Sequence, residues 1–110
     1  MITQLGNDAF GDIIVETIEQ LGVGTQYIKR TNKANTALAF VSLQDDGQRD
    51  FSFYRKPSTD MLYQPENIDD IQVFQDDILH FCSVDLIESD MKYAHEKMIE
   101  KFESVDGTIV

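Results

Sequence analysis

Residues 36–55 read TALAFVSLQDDGQRDFSFYR, and this stretch predicts a β-hairpin. Two β-compatible runs, residues 36–43 and 49–55, flank a DDGQ turn whose central Asp-Gly pair is a strong hairpin signal. Side chains alternate between the two faces of a strand, so Phe51 and Phe53 share one face of the second run. The centre of the chain is therefore expected to be an antiparallel pair of strands.

The residues before the hairpin predict a strand, a helix and a second strand. Residues 1–5 and 25–30 are β-compatible, and a Gly-Asn-Asp turn signal follows the first of them. Asp8 or Asp12 is expected to cap the start of the helix, and Gly22 is expected to end it. Between these points, apolar side chains recur at spacings of four, four and three residues, which indicates one helix face: Phe10, Ile14, Ile18 and Leu21.

The residues after the hairpin predict a loop followed by a βαβ unit. Residues 56–70 hold both prolines and are expected to form a crossing loop with one helical turn. Residues 78–84, ILHFCSV, form a compact apolar run whose length favours a buried strand. A helix capped by Ser89 or Asp90 should follow. Residues 108–110 then begin a strand that is expected to pair in parallel with the strand at residues 78–84. The helix carries an apolar stripe that is expected to lie in the core: Met91, Ala94, Met98, Phe102 and Val105.

Length and composition are those of one small globular domain. The chain has 110 residues, of which 42% are hydrophobic and 26% are charged, so a disordered or fibrous protein is excluded. Its apolar runs are too short to span a membrane, and no secretory signal is expected at its start. The one cysteine, Cys82, excludes an internal disulfide framework and a CxxC zinc site, and it fits a reducing, cytoplasmic compartment.

The charge is strongly negative and unevenly distributed. The chain carries 9 basic and 20 acidic residues, a net charge of −11. Residues 1–59 hold six of the bases and seven of the acids, whereas residues 60–110 hold three bases and thirteen acids. A protein that binds nucleic acid by itself needs the opposite sign, so that class is excluded. The acidic half is interpreted as a solvated surface, since no DxDxDG loop indicates a calcium site.

Three side chains carry candidate binding chemistry. Arg55 ends the second hairpin run, where a guanidinium suits sugar hydroxyls or a phosphate; the alternative is a surface arginine. Phe53, two residues earlier, offers an aromatic face to a sugar ring. Ser83, with Cys82 before it, is expected at the end of the strand that begins at Ile78, and ligands of open α/β sheets lie at the carboxyl ends of strands.

The remaining motifs favour structural roles. The GNDAFG loop at residues 6–11 could offer backbone amides to an anion, but a tight turn with an aspartate cap is favoured because the carboxylate would repel phosphate. His80 lies within an apolar run and is expected to be a hydrogen-bonded core histidine. No Cys–His or Ser–His–Asp arrangement supports Cys82 as a nucleophile, and no GxxxxGK[ST] phosphate loop is present.

The ordered series of motifs resembles the ribokinase-like, PfkB-type sugar kinases, and most closely their fructokinase branch. The motifs that carry this resemblance are LGNDAFG at residues 5–11, TALAFV at 36–41, DG at 46–47 followed by FSFYR at 51–55, PS at 57–58, DML at 60–62 and ILHFCS at 78–83. Each motif is common by itself. Their order and spacing along nearly the whole chain are what make the resemblance specific.

This resemblance implies an α/β, ribokinase-like fold in which a parallel βαβ core segment is joined by a β-hairpin that contributes to a lid over the sugar. It implies a strand and helix of the core at residues 1–24, the lid at 25–56, and a loop with the βαβ unit at 57–110. The implied activity is transfer of the γ-phosphate of ATP to a hydroxyl of a sugar, expected to be fructose. The parent enzyme would use ATP and Mg²⁺, and substrate contacts map onto Phe53 and Arg55.

Departures from the family pattern indicate an internal piece of such a kinase. The Gly-rich, Asn-containing sugar-binding stretch, the Gly-Ala-Gly-Asp motif with its catalytic aspartate, and the ATP-binding region are not in this sequence. We therefore expect a single partial domain over residues 1–110, without a catalytic residue, cofactor site or metal site of its own. Its expected partners are the sugar and a second copy paired through the hairpin, with no nucleic acid and no membrane.

Two other functions stay open from the sequence alone. A non-enzymatic α/β interaction module would use the hairpin to pair with another chain. A phosphate- or nucleotide-binding regulator is disfavoured by the acidic balance and by the missing phosphate loop.

Overall fold

The computed structural model describes residues 1–110, which form two compact units, Met1–Asp60 and Met61–Val110. The predicted α/β class is confirmed: the chain forms two α-helices and six strands, with parallel strand pairs. In chain order they are β1 (Ile2–Gly6), α1 (Ala9–Gln20), β2 (Tyr27–Thr31), β3 (Leu38–Leu43), β4 (Arg49–Tyr54), β5 (Ile78–Leu79), α2 (Asp90–Glu103) and β6 (Thr108–Ile109).

In the first unit, β1, α1 and β2 form a parallel strand–helix–strand arrangement. β1 pairs with β2 along five residues, from Ile2 opposite Tyr27 to Gly6 opposite Thr31. Asp8 is the residue that caps α1, and Gly22 takes a positive φ of 74° just after the helix, where a side chain would be strained. The helix is confirmed, but its predicted apolar face stays largely uncovered, with Phe10 52% exposed.

The central hairpin is confirmed. β3 and β4 pair antiparallel, with Val41 opposite Phe51 and Ala39 opposite Phe53. Gly47 takes a positive φ of 81° in the turn, which glycine adopts without strain. Phe51 and Phe53 stack with ring centroids 5.9 Å apart on one face, as their alternation predicts. Both faces of the hairpin are exposed to solvent.

In the second unit, α2 supplies most of the buried core. Short 3₁₀ helices at Asp60–Leu62 and Pro65–Ile68 precede it, so the proline-rich loop contains two helical turns where the sequence predicts one. Ser89 caps α2, and its side chain accepts a hydrogen bond from the Lys92 amide. The predicted stripe is confirmed except for half-buried Val105, and it packs in the same unit as further core residues: Met91, Ala94, Met98 and Phe102, with Tyr63, Ile68 and Ile71.

The prediction of a buried strand over residues 78–84 is wrong. β5 spans only two residues and pairs in parallel with the equally short β6, which completes the predicted βαβ unit. Ile78 is 68% exposed and His80 is also exposed, so the histidine is not a core residue. The physical reason is that β6 is the one strand beside β5, and an apolar run stays exposed where the chain supplies nothing else to cover it.

Two further points concern the chain as a whole. Neither helix is both long and apolar enough to cross a membrane. The division into a core segment (residues 1–24), a lid (25–56) and a loop with the βαβ unit (57–110) stays a prediction. β2 lies in the predicted lid segment but pairs with β1 of the predicted core segment.

Candidate functional site

An open cavity of about 700 Å³ lies at the base of the hairpin, a volume typical of small-ligand sites. Its walls come from the loop between β2 and β3, from the ends of β3 and β4, and from the residues that follow β4. The lining residues are 32–36, Leu38, Phe53, Tyr54, Lys56 and Pro57. One of the three predicted binding residues, Phe53, therefore lines this cavity.

Arg55 follows β4 and faces a carboxylate. Its Nη2 lies 2.5 Å from Oδ2 of Asp60, and both side chains are about three-quarters buried. The buried Ser58 hydroxyl donates a hydrogen bond to the other carboxylate oxygen of Asp60. Arg55 is thus held by a carboxylate that is itself anchored, and it does not line the cavity that Phe53 lines.

The segment that carries Asp60 is fixed to the rest of the first unit. Thr59 is fully buried; its hydroxyl donates to the Gln4 backbone carbonyl at 2.9 Å, and Nε2 of the Gln4 side chain donates back to the Thr59 carbonyl at 2.8 Å. The Thr59 amide donates to the Asn35 carbonyl at 3.1 Å. Because β1 and the cavity loop both hold this segment, the Arg55–Asp60 pair has a defined position relative to the cavity wall.

The GNDAFG loop has the structural role that the sequence favours. Oδ1 of Asp8 accepts from the Gly11 amide at 2.8 Å, and Oδ2 accepts from the Thr36 amide at 2.9 Å. The Gly6 amide in turn donates to the Thr36 hydroxyl at 2.9 Å. The hydrogen bonds from Thr36 and Gly11 lower the pKa of Asp8 below its ordinary value. The Gly11 amide is therefore engaged by a carboxylate and the Gly6 amide by a hydroxyl, and Asp8 and Gly6 both bind Thr36 of the cavity wall.

Ser83, the third predicted binding residue, lies in the second unit. It begins a 3₁₀ turn, Ser83–Asp85, and is exposed, as is Cys82 before it. His95 is half-buried and its ring packs edge-on against Phe81, with centroids 5.6 Å apart. The structure brings Phe53 and Arg55 together at one end of the hairpin and adds no catalytic partner for Ser83 or Cys82.

The sequence prediction missed the polar residues of the cavity wall. Asn32, Lys33 and Asn35 come from the loop between β2 and β3, and Lys56 comes from beyond β4. The signal was present, since residues 31–35 read TNKAN and are rich in amide and ammonium groups. Periodicity carries no information on how an irregular loop meets a strand end, so the cavity could not be derived from it.

No group of three or more His, Cys, Asp or Glu side chains converges as the ligands of a metal ion would.

Comparisons with known proteins agree with this fold. Residues 1–108 match the pfkB family of carbohydrate kinases. The probable fructokinase-4 of Arabidopsis thaliana is 38% identical over 99 residues, which are 90% of this chain and 30% of that protein. The fructokinase of Solanum tuberosum is 37% identical over 99 residues, 90% of this chain and 31% of that protein. The chain therefore spans about 30% of the length of the curated relatives it matches.

Solved structures show the same likeness. The fructokinase of Xylella fastidiosa superposes with a TM-score of 0.85 at 35% identity, covering 98% of this chain and 33% of that one. A double mutant of the Vibrio cholerae O395 fructokinase, bound to fructose, ADP and potassium, gives a TM-score of 0.86 at 27% identity, covering 98% and 34%. With the family matched along nearly all of its length, this chain belongs to the pfkB family of carbohydrate kinases.

Proposed function

We propose that this chain is the sugar-side segment of an ATP-dependent kinase that transfers the γ-phosphate of ATP to a hydroxyl of fructose. The observation that carries the proposal is the family match over residues 1–108, together with 38% identity to a fructokinase. Because the chain spans about 30% of that relative, the catalytic base and the nucleotide site of the proposed enzyme would lie in other residues.

The hairpin and its cavity support a role in holding the sugar. The Phe53 ring offers an apolar face of the kind on which a sugar ring packs. Arg55, oriented by Asp60, carries a charge-assisted donor group and lies in sequence between two lining residues, Tyr54 and Lys56. Ser83, in the second unit, stays a separate proposal as a substrate-binding residue. In this proposal these residues bind and orient the substrate, and none of them moves a proton or accepts the phosphate.

ATP and Mg²⁺ are the proposed cofactors of the whole kinase. The Vibrio cholerae fructokinase binds ADP and potassium beside fructose, which supports nucleotide and metal use by this family. Mg²⁺ would neutralise charge on the transferring phosphate.

Two further proposals concern partners and location. The exposed apolar side chains of the hairpin support contact with a second copy of the chain, which would give a homodimer. The one cysteine, Cys82, is free and exposed, and a free thiol supports a cytoplasmic location. The proposed protein acts on a small sugar and binds neither nucleic acid nor membrane.

Two preparations test the kinase proposal: the 110-residue chain, and the chain extended on both sides by whatever its gene encodes. Fructose-dependent release of ADP from ATP is measured for each. We expect turnover from the extended protein and none above a blank from the 110-residue chain. Turnover by the chain alone would contradict the placement of the catalytic groups elsewhere, and a folded extended protein that does not phosphorylate fructose would contradict the proposed reaction.

A further inference from the structure

Arg55 and Asp60 form an ion pair in which both side chains are shielded from water. The two side chains are 25% and 23% exposed, and Nη2 of Arg55 lies 2.5 Å from Oδ2 of Asp60. Charges held away from water are screened less, so the Asp60 carboxylate acts on its neighbours more strongly than an exposed carboxylate does. In three other ion pairs of the chain the acidic side chain is 58–70% exposed: Arg30–Asp12, Lys92–Glu88 and Lys97–Asp69.

The Asp60 carboxylate is fixed through both of its oxygen atoms. Oδ2 accepts from Arg55, and Oδ1 accepts from the hydroxyl of Ser58, a residue that is 1% exposed. Thr59, which lies between Ser58 and Asp60 in the chain, is fully buried and hydrogen-bonded to Gln4. The carboxylate cannot turn away without breaking these contacts, so a negative charge beside the guanidinium is a fixed feature of the fold.

A fixed carboxylate changes which ligand groups Arg55 can bind. A guanidinium without an acidic neighbour pairs with a carboxylate through two parallel hydrogen bonds. Beside Asp60, however, a ligand carboxylate meets a like charge, and such a juxtaposition disfavours the wrong partner. A hydroxyl group carries no net charge and is not repelled. Since a guanidinium has five N–H donors, it can serve both an aspartate and a hydroxyl.

We propose that Asp60 is a specificity-determining residue, which makes the sugar contact of Arg55 select neutral sugars and reject carboxylated ones. The inference rests on the proposed function, since it takes Arg55 to be a ligand of the sugar. A binding site discriminates by repelling the wrong ligand as well as by attracting the right one. Asp60 supplies the repulsion, and it acts through Arg55 without contact to the reacting atoms.

The lysines of the cavity wall do not supply this discrimination. Lys33 and Lys56 line the cavity and are exposed, so salt screens their attraction for an anion. Replacement of Asp60 leaves both lysines in place. A change in charge preference on that replacement is therefore assigned to the Arg55–Asp60 pair.

Calorimetric titrations of the extended protein with fructose, gluconate and glucitol test the proposal. Glucitol has the carbon chain of gluconate with a CH₂OH group in place of the carboxylate, so it is the uncharged control. We expect the parent to bind fructose more tightly than gluconate. Asp60→Asn keeps the size of the side chain and removes its charge, which should raise the affinity for gluconate relative to glucitol about tenfold or more. Asp45→Asn, in the exposed hairpin turn, makes the same charge change and should leave this ratio unaltered.

A double variant shows whether Asp60 acts through Arg55. In Arg55→Gln/Asp60→Asn the guanidinium is absent, so removal of the Asp60 charge should bring no gain in gluconate affinity. A gain that persists in the double variant would assign the effect to other groups and would overturn the proposal. An equal gain for glucitol and gluconate in Asp60→Asn would overturn it as well, because the effect would then not depend on charge.

The parent protein decides the proposal even where a variant does not fold. A parent that binds gluconate as tightly as fructose, or that binds neither, would overturn it, as would an unchanged gluconate-to-glucitol ratio in folded Asp60→Asn. Phosphorylation of fructose is measured separately. A parent that binds fructose in preference to gluconate but does not phosphorylate it would contradict the proposed reaction and leave the role of Asp60 intact.

Discussion

At the scale of single residues, Gly11 is required by close backbone approach. A Cβ at this position would lie 2.4 Å from the Gly6 carbonyl oxygen and 3.1 Å from the Thr36 hydroxyl. Alanine favours an exposed helix by about 1 kcal/mol over glycine, but here the clash outweighs that gain. We expect Gly11→Ala to destabilise the chain by about 1–3 kcal/mol in urea unfolding. Glu16→Ala, on the exposed side of the same helix, is the control, and a Gly11→Ala variant as stable as that control would contradict the prediction.

Asp8 makes the stability of the first unit depend on pH. Its pKa is lowered in the folded chain, chiefly by the Thr36 amide and then by the Gly11 amide. The stabilisation is therefore fully present above the unfolded-state pKa of about 3.9, and it is lost as the pH falls through the lower folded-state pKa. In Asp8→Asn, an NH₂ group replaces the oxygen that accepts from Thr36.

The test is urea unfolding of Asp8→Asn and of the parent chain between neutral and acidic pH. We expect the variant to be less stable at neutral pH and to lose less stability on acidification. Asp69 and Glu88, whose pKa values are also lowered, keep some pH dependence in the variant. Parallel pH profiles for the variant and the parent would show that Asp8 does not contribute.

Arg55 carries the residue-scale prediction on substrate binding. Removing one charge-assisted hydrogen bond costs about 1.5–3 kcal/mol, so Arg55→Ala in the extended protein should raise the sugar KM about 10- to 150-fold. The KM for ATP should stay nearly constant. Phe53→Ala is expected to act in the same direction through loss of ring contact. Steady-state kinetics at saturating ATP measures this, with Arg49→Ala as control; an unchanged sugar KM in a folded Arg55→Ala protein would remove Arg55 from the site.

At the scale of elements, one ammonium group holds α2 to the end of the 3₁₀ helix at Pro65–Ile68. Nζ of Lys101 donates to the carbonyls of Ile68 and Ile71 at 2.8 and 2.7 Å, and to that of Asp69 at 3.2 Å. These carbonyls end a helical turn, where cations bind favourably. Lys101→Met keeps the apolar stem of the side chain but leaves the carbonyls without this donor.

We expect Lys101→Met to lower the free energy of unfolding by about 1–3 kcal/mol. Lys97→Met is the matched control, since Lys97 lies one turn earlier and reaches only the exposed side chain of Asp69. Thermal or urea unfolding compares the two variants. Equal losses of stability in both variants would mean that the hydrogen bonds from Lys101 to the three carbonyls do not stabilise the fold.

The elements also show where sequence prediction succeeds and fails. The hairpin follows from its Asp-Gly turn and from the alternation of its side chains. Both helices follow from the spacing of their apolar residues, such as Met98 and Phe102 in α2. The buried strand predicted over residues 78–84 is wrong because burial of a strand depends on neighbours distant in sequence, and β6 is short. The cavity lysines were missed for the same kind of reason, since Lys33 precedes β3 and Lys56 follows β4, and the pairing of these strands places both along one cavity.

At the scale of the whole molecule, the strands form three separate two-stranded sheets. Every strand therefore has one paired edge and one open edge, and an open edge offers backbone groups to another chain. The hairpin adds exposed apolar side chains to such edges, with Phe51 50% and Val41 52% exposed. An isolated two-stranded sheet is marginally stable in water, so association is a route to cover it.

We therefore expect the 110-residue chain to associate with itself through the hairpin. Size-exclusion chromatography with light scattering, over about a hundredfold range of protein concentration, should show a mass that rises with concentration. Phe51→Lys places a charge on the exposed apolar face and should shift the chain towards the monomer. Val84→Lys, at a residue 65% exposed in the second unit, carries the same charge change and should leave the association unaltered. Because both variants change net charge equally, a difference between them assigns the contact to the hairpin, whereas a parent chain that stays monomeric throughout would contradict it.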